Sequence, residues 1–131
     1  MSTPLKHALS SAEKFGGNWS HYIHIHDWLD NTKQYTGNWT HRALRHHSAG
    51  VQEAISVFGH VVWISTGDGP DKAVPVKVIA EQHIIEDCGF IPTVQDWLSC
   101  INPKPWMLKV PRVSEPVKVE VKKETKNRKV K

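Results

Sequence analysis

Residues 76–89 read Val-Lys-Val-Ile-Ala-Glu-Gln-His-Ile-Ile-Glu-Asp-Cys-Gly and carry the pattern that decides the fold. Positions 76, 79, 80, 83, 84 and 87 recur at the spacing of one face of an α-helix, and Gly89 is placed to end that helix. Valine, isoleucine and alanine occupy four of these positions, so the face is predicted to pack into a core. His83 and Asp87 occupy the other two. Polar residues on an inward face make them the first candidates for a functional site.

A second helical pattern covers residues 40–58. At 100° per residue, its large apolar residues fall within about 40° of Leu44 and define one face. They are Leu44, Val51, Ile55 and Phe58. His41 and His47 lie about 60° either side of this face, so both are predicted to border the core. His46 and Arg42 are predicted to point to water.

Other segments complete a mainly α fold. Residues 4–15 are predicted to form a short helix that ends at Gly16-Gly17, and Thr93 to open another through a Thr-x-x-Asp capping pattern. The β-branched run 61–65 precedes the turn sequence Gly-Asp-Gly-Pro, which predicts either a β-hairpin with residues 73–76 or an irregular loop. The expected fold is a small helical bundle with this hairpin or irregular insertion and a flexible C-terminal tail.

One short motif occurs twice. Residues 17–21 read Gly-Asn-Trp-Ser-His and residues 37–41 read Gly-Asn-Trp-Thr-His. A hydroxyl side chain can accept a hydrogen bond from a free backbone N–H at a helix start, so Ser20 and Thr40 are predicted to be N-caps. The two copies therefore indicate two similar helix starts, the first opening a helix over residues 20–31.

Charge divides the chain at residue 109. Residues 109–131 hold nine Lys or Arg against three Glu, whereas residues 1–108 hold eight against ten Asp or Glu, and the net charge is +4. The predicted domains are a His-rich helical domain over 1–108 and a basic flexible tail over 109–131. The tail either attracts host nucleic acid or an acidic protein surface, or is only a solubilising terminus. The candidate polyanion-binding residues are Lys122, Lys123, Lys126, Arg128, Lys129 and Lys131.

Composition excludes several classes of protein. A hydrophobic content of 39% with six tryptophans is sufficient for a core, which argues against global disorder. The sequence has neither a membrane-length apolar run nor the apolar stretch of a signal peptide. Cys88 and Cys100 form no disulfide framework and no paired metal-binding motif. A cytoplasmic protein is therefore predicted, with no membrane association; composition indicates no oligomeric state.

The nine histidines point most directly to a chemistry. Imidazole nitrogens and carboxylate oxygens are ligands of zinc, iron, nickel and manganese, so the cofactor predicted is a divalent transition metal. His83 and Asp87, one helical turn apart, can face a shared ion. The candidate metal ligands are His41, His47, His83 and Asp87, with His24, His26 and Asp27 as further candidates and Glu81 or Glu86 at the rim. The alternative is structural: Asp87 accepts a hydrogen bond from His83 or His47 inside the core.

Four strings of sequence resemble a small family of uncharacterised bacterial and bacteriophage proteins. They are H-A-L-S-S-A-E-K-F-G-G (7–17), I-H-D-W-L-D (25–30), H-R-A-L-R-H-H (41–47) and E-Q-H-I-I-E-D-C-G-F-I-P-T-V-Q-D-W-L (81–98). The resemblance implies a compact helical domain in which histidines and acidic residues converge. It implies no activity, and it would place a phage-encoded protein in the host cytoplasm.

The His26-Asp27 dipeptide is weakly similar to HD-type metal phosphohydrolases, in which a histidine, a His-Asp dipeptide and a distant aspartate hold a divalent ion. The order of the other histidines departs from that pattern, because His41 and His47 follow the dipeptide. Two functions remain open. The first is a metal-binding domain that hydrolyses a phosphoester or nucleotide. The second is a non-enzymatic phage or bacterial interaction protein that docks on a host complex through its basic tail.

Overall fold

The computed structural model describes residues 3–110. These fall into two units, residues 3–101 and residues 102–110, and each is described by itself. The second contains a single 3-10 turn, Pro105–Leu108. The predicted division at residue 109 stays a prediction, because the basic tail from residue 111 onward lies outside the described residues. Within residues 3–110, every helix is too short or too polar to cross a lipid bilayer.

The first unit is mainly helical, as predicted. Its helices are α1 (Pro4–Phe15), α2 (Ile23–Asp30), α3 (Arg42–Arg45), α4 (Ser48–Phe58), α5 (Val76–Cys88) and α6 (Val94–Leu98), and its strands are β1 (Val61–Ile64) and β2 (Lys72–Pro75). Shorter 3-10 turns cover Trp19–His21, Asn31–Gln34 and Trp39–His41.

Helix α5 is the central element. It packs against α1, α2 and α4, and Gly89 ends it in the left-handed conformation with φ of 86°. All six positions of its predicted inward face are buried in the bundle, and the side chain of Asp87 is only 4% exposed. The periodicity of residues 76–88 therefore identified both the helix and the face that it buries.

The hairpin prediction is confirmed. Strands β1 and β2 pair antiparallel, with Val61 opposite Pro75 and Ile64 opposite Lys72. Ile64 and Val74 point inward and join the apolar core, which closes one side of the bundle. Along each strand the residues next to Ile64 and Val74 are exposed, in the alternation expected of a sheet with one buried face.

The predicted helix over residues 40–58 is wrong in one respect: it is broken. His46 has φ of −87° and ψ of 67°, and His47 is fully extended, so α3 ends and α4 begins in a new direction. A helical phase counted from Leu44 does not continue across two non-helical residues. His46 was predicted to face water and is instead 0% exposed, and Arg42 is half-buried rather than free in solvent.

The two repeated motifs begin with an asparagine cap rather than a hydroxyl cap. The side-chain oxygen of Asn18 accepts from the backbone N–H of Ser20, and that of Asn38 accepts from the backbone N–H of Thr40. The predicted caps at Ser20 and Thr40 are therefore shifted by two residues. Each motif forms a short 3-10 turn, and the second turn places His41 at the core.

A close backbone approach at Gly50 maintains the corner between α3 and α4. A Cβ atom at this position would lie 1.9 Å from the carbonyl oxygen of Arg45, so only glycine fits without moving the corner. Two further contacts hold the same corner: Ser48 N–H donates to the carbonyl of Pro92, and the indole N–H of Trp97 donates to the carbonyl of His46.

Replacing Gly50 with alanine is expected to destabilise the protein by about 1–3 kcal/mol, the usual cost of inserting a methyl group into a filled site. Urea denaturation followed by circular dichroism measures the effect. Gly37→Ala is the matched control, because a Cβ atom there meets nothing within 4 Å. Equal denaturation midpoints for the two variants would show that the corner is not closed as described.

Candidate metal centre

Five histidine rings and two aspartates are buried together between the helices. The rings are at most 1% exposed, and the two carboxylate side chains are 4% and 5% exposed. The members of this His/Asp cluster are His7, His26, Asp30, His41, His46, His83 and Asp87. They come from α1, α2, the turn before α3, the corner before α4, and α5, so the bundle must be folded to assemble them.

Four polar atoms form the centre of the cluster. Asp30 Oδ1 lies 3.1 Å from His83 Nε2, which lies 3.3 Å from Asp87 Oδ2. Asp87 Oδ2 lies 3.0 Å from His46 Nε2, which lies 3.5 Å from Asp30 Oδ1. Nitrogen and oxygen therefore alternate around a closed quadrilateral, and each imidazole faces two carboxylates.

His7 flanks the centre on the α1 side. Its Nδ1 lies 2.7 Å from Oε1 of Glu86, a carboxylate that also accepts from Ser10 and Gln82. Because a carboxylate oxygen accepts, His7 Nδ1 carries the proton. In the neutral ring, Nε2 then has a lone pair, and it lies 3.2 Å from Asp87 Oδ1 without forming a hydrogen bond.

His41 flanks the centre on the opposite edge of the ring of ligands, beside Asp30. Its Nδ1 donates to the backbone carbonyl of Asn38 at 2.7 Å, since a carbonyl can only accept. Its Nε2, 3.4 Å from Asp30 Oδ1, is therefore the lone-pair nitrogen of the neutral ring. A backbone carbonyl on Nδ1 is a common way for proteins to fix the tautomer of a metal-binding histidine.

Gln82 fixes the protons on the remaining side of the cluster. Its side-chain nitrogen donates to the carbonyl of His7 at 3.1 Å and to Glu86 Oε1 at 3.0 Å. A flipped amide would set two pairs of acceptors against each other, so this orientation is required. Gln82 Oε1 then accepts from Ser11 Oγ at 2.5 Å and uses the single hydroxyl proton of Ser11.

The proton of Ser11 determines the tautomers of two histidines, first that of His26 and through it that of His83. With its proton committed to Gln82, Ser11 Oγ accepts from His26 Nε2 at 2.7 Å. Within residues 3–110 no carboxylate contacts the ring nitrogens of His26, and burial lowers the pKa of this ring to about 2, so it is neutral. Its Nδ1 therefore accepts from His83 Nδ1 at 2.9 Å, and the lone pair of neutral His83 is on Nε2.

In their neutral forms the rings of His7, His41 and His83 would direct Nε2 lone pairs at carboxylate oxygens. At His7, burial is outweighed by hydrogen bonds to Asp87 and Glu86, which raise the pKa of that ring. A nitrogen lone pair that faces a carboxylate oxygen is repelled by it, and this repulsion is only weakly screened inside a protein. A cation must therefore lie among these groups, either a proton that converts a ring to imidazolium or a metal ion.

The carboxylates are ionised. Burial opposes ionisation of Asp87, but hydrogen bonds with the rings of His46, His7 and His83 outweigh it and hold the pKa of this carboxyl well below its usual range. The same balance lowers the pKa of Asp30. Conversely, burial is outweighed at His46 by the two carboxylates, which raise the pKa of its ring. The cluster therefore carries fixed negative charge and attracts a cation.

The structure brings together four of the predicted metal ligands. His41, His83 and Asp87 face the centre, and His26 contacts His83 from behind. Two groups of residues have ligand atoms close enough to hold an ion. The first is His7, Asp30, His83 and Asp87, and the second is Asp30, His41 and His46.

Three predicted ligands lie elsewhere. His47 Nδ1 accepts from the N–H of Gly50 and its Nε2 contacts the carbonyl of Leu44, so the ring caps α4. His24 packs edge-on against Phe58, and Asp27 is exposed on α2. Glu81 pairs with Lys77 at the surface. The polyanion-binding candidates lie outside the described residues.

Sequence reasoning missed His7, Asp30 and His46 as members of the cluster. A signal for Asp30 was present: His26 and Asp30 have the same four-residue spacing as His83 and Asp87. For His46, the helix break removed the signal. His7 lies one turn before Ser11 on the inward face of α1, but a single histidine on a short helix is seldom informative.

A family model described as "Domain of unknown function (DUF6915)" matches residues 2–107, and the chain belongs to this family. The match confirms the predicted resemblance to an uncharacterised family, whereas the similarity to HD-type domains stays a prediction. No curated protein and no solved structure matches the chain.

The proton assignment can be tested by long-range ¹⁵N–¹H correlation spectra of the imidazole rings. His26 is expected to carry its proton on Nε2, because the hydroxyl proton of Ser11 is committed to Gln82, and His41 on Nδ1, because the carbonyl of Asn38 can only accept. Exposed His60, whose ring has no such partner among the described residues, should show exchange between the two tautomers. A proton on His26 Nδ1 would invalidate the assignment for His83.

Proposed function

We propose that the His/Asp cluster binds a divalent transition metal ion through Asp30, His46, His83 and Asp87. One observation carries the proposal: Nδ1 of His7, His41 and His83 is already committed as a donor, while Nε2 of each ring is aimed at carboxylate oxygen. A structural network of neutral rings would place N–H groups, not lone pairs, against these oxygens, so without a metal ion the cluster must take up protons.

The distances fit an ion at the centre. Ligands about 2.1 Å from a metal lie roughly 3.0–3.4 Å apart in octahedral or tetrahedral geometry. The four edges of the quadrilateral, 3.0, 3.1, 3.3 and 3.5 Å, span this range. His7 and His41 stand beside Asp87 and Asp30 and can complete the coordination or orient the carboxylates. Nitrogen and oxygen ligands without thiolate favour zinc, iron, nickel or manganese.

Hydrolysis of a phosphoester is the activity that this site supports best. A divalent ion held by neutral imidazoles and carboxylates supplies Lewis acidity and activates water near neutral pH. In the reaction, the water oxygen bonds to phosphorus, the bond from phosphorus to the alcohol oxygen breaks, and that oxygen receives a proton. A cavity of about 380 Å³ reaches Asp87 and offers a route for substrate.

One observation favours a second candidate function, a non-enzymatic interaction protein. All five rings of the cluster are almost completely buried, which suits a structural network or structural ion. In that function the basic tail makes the contact with nucleic acid or an acidic protein surface. The two candidates differ in whether removing the ion abolishes an activity or only lowers stability.

Metal analysis of tag-free protein by mass spectrometry is the direct test. Wild-type protein is expected to hold about one equivalent of a divalent metal, and the double variant Asp30→Asn/Asp87→Asn to lose most of it, since amides are weak ligands. Asp27→Asn is the matched control, because Asp27 lies on the same helix as Asp30 but is exposed. Less than about a tenth of an equivalent in wild-type protein would overturn the proposal.

A change in the orienting hydrogen bonds should weaken metal binding without removing a ligand. Ser11→Ala leaves His26 Nε2 without its acceptor and frees His83 to change tautomer. Loss of such supporting contacts typically lowers metal affinity about 10–100-fold, and competition with a chelating dye measures this. Ser56→Ala, at an exposed position of α4, should have wild-type affinity. Unchanged affinity in Ser11→Ala, with only lower stability of the metal-free protein, would favour the structural network.

A further inference from the structure

The cavity that reaches Asp87 also has in its wall an arginine, Arg42, that has no ion-pair partner among residues 3–110. Its wall includes Arg42, Asp87, Phe90, Asp96 and Trp97. The Nε atom of Arg42 is buried and makes no hydrogen bond, and within residues 3–110 no carboxylate forms an ion pair with this guanidinium. A buried donor without a partner is uncommon and costs about 1–3 kcal/mol.

The neighbouring arginine shows what a structural role looks like in this bundle. Arg45 donates from Nη1 to the carbonyl of Trp28 at 2.5 Å and to Asn31 at 2.6 Å, and it stacks on the ring of Trp28. Three residues away, Arg42 makes none of these contacts. Its position in the wall of an open cavity leaves room for a ligand to be its partner.

The rest of the cavity defines what the ligand must be. Asp87 belongs both to the cavity wall and to the proposed metal site, so an anion beside Arg42 would also lie next to the ion. Phe90 and Trp97 supply aromatic walls for an apolar group. Asp96 adds a negative charge, but its carboxylate is engaged by the N–H of Thr93 at the start of α6.

We propose that Arg42 is the anion-binding residue of this cavity and holds the phosphoryl group of a phosphate monoester beside the metal, with a flat organic group between Phe90 and Trp97. The inference rests on the proposed metal site, to which it adds a substrate class and a specificity residue. The planar guanidinium offers paired donors that match phosphate oxygens, which a lysine cannot reproduce.

Isothermal titration of the full-length, metal-loaded chain with inorganic phosphate and with phenyl phosphate tests this. Wild-type protein should bind both, and phenyl phosphate more tightly because of the aromatic walls. Arg42→Gln should lose at least about tenfold in affinity for both, with Arg42→Lys intermediate. Lys77→Gln is the control, since it removes an exposed cation that pairs with Glu81. Metal content is measured for every variant.

The outcomes separate this inference from the proposed function. Unchanged phosphate affinity in Arg42→Gln, at full metal content, would overturn the role of Arg42 and leave the metal site intact. Absence of metal in wild-type protein, with phosphate binding that still depends on Arg42, would overturn the metal site and leave the anion site. Equal affinity for phosphate and phenyl phosphate would contradict the proposed binding of an organic group between the aromatic walls.

Discussion

The structure depends on two aspartates buried at the centre of a small helical bundle. Burying a carboxylate is expensive unless a cation or several donors compensate it, and Asp30 and Asp87 lie within 3.5 Å of shared imidazoles. Their charge fixes what surrounds them: histidines from five segments, and a cation among those histidines. The apolar core is a separate set of buried residues, of which Tyr22 is the largest, and the polar centre adds the requirement that these helices bring the histidines to the two aspartates.

Protons, not distances, decide between a metal and a hydrogen-bond network. Separations near 3 Å suit both. The decisive contacts are those of Gln82, Ser11 and the carbonyl of Asn38 with the outer nitrogens of the rings. The carbonyl can only accept, and the single proton of Ser11 is committed to Gln82. These contacts leave lone pairs facing the carboxylates. In metal-free protein the raised pKa of His46 indicates that a proton takes the place of the ion, so protons and metal compete for the same centre.

The sequence predicted those elements whose evidence is local. Helix α5, its inward face and the pair His83 and Asp87 follow from one period of 3.6 residues. The site as a whole depends on contacts between segments that are distant in sequence. His46 joins it because two non-helical residues separate α3 from α4, and no periodicity reveals that break. Asp30 joins it because α2 packs against α5. Conversely, His47 was predicted from its place beside an apolar face, but a histidine can also reach that place as the cap of the next helix.

Burial of the histidines does not by itself assign the site to structure rather than catalysis. A catalytic centre needs only one open side, and here the open side is at Asp87, where the cavity containing Arg42 meets the cluster. The other carboxylate, Asp30, faces His41 and the interior of the bundle. The side chains of Asp30 and Asp87 are almost equally buried, at 5% and 4% exposed, so both can anchor the proposed ion, and Asp87 also lines the cavity. The guanidinium of Arg42, which has no ion-pair partner among residues 3–110, lines the same cavity, and this suits a site that binds an anion better than a purely structural ion.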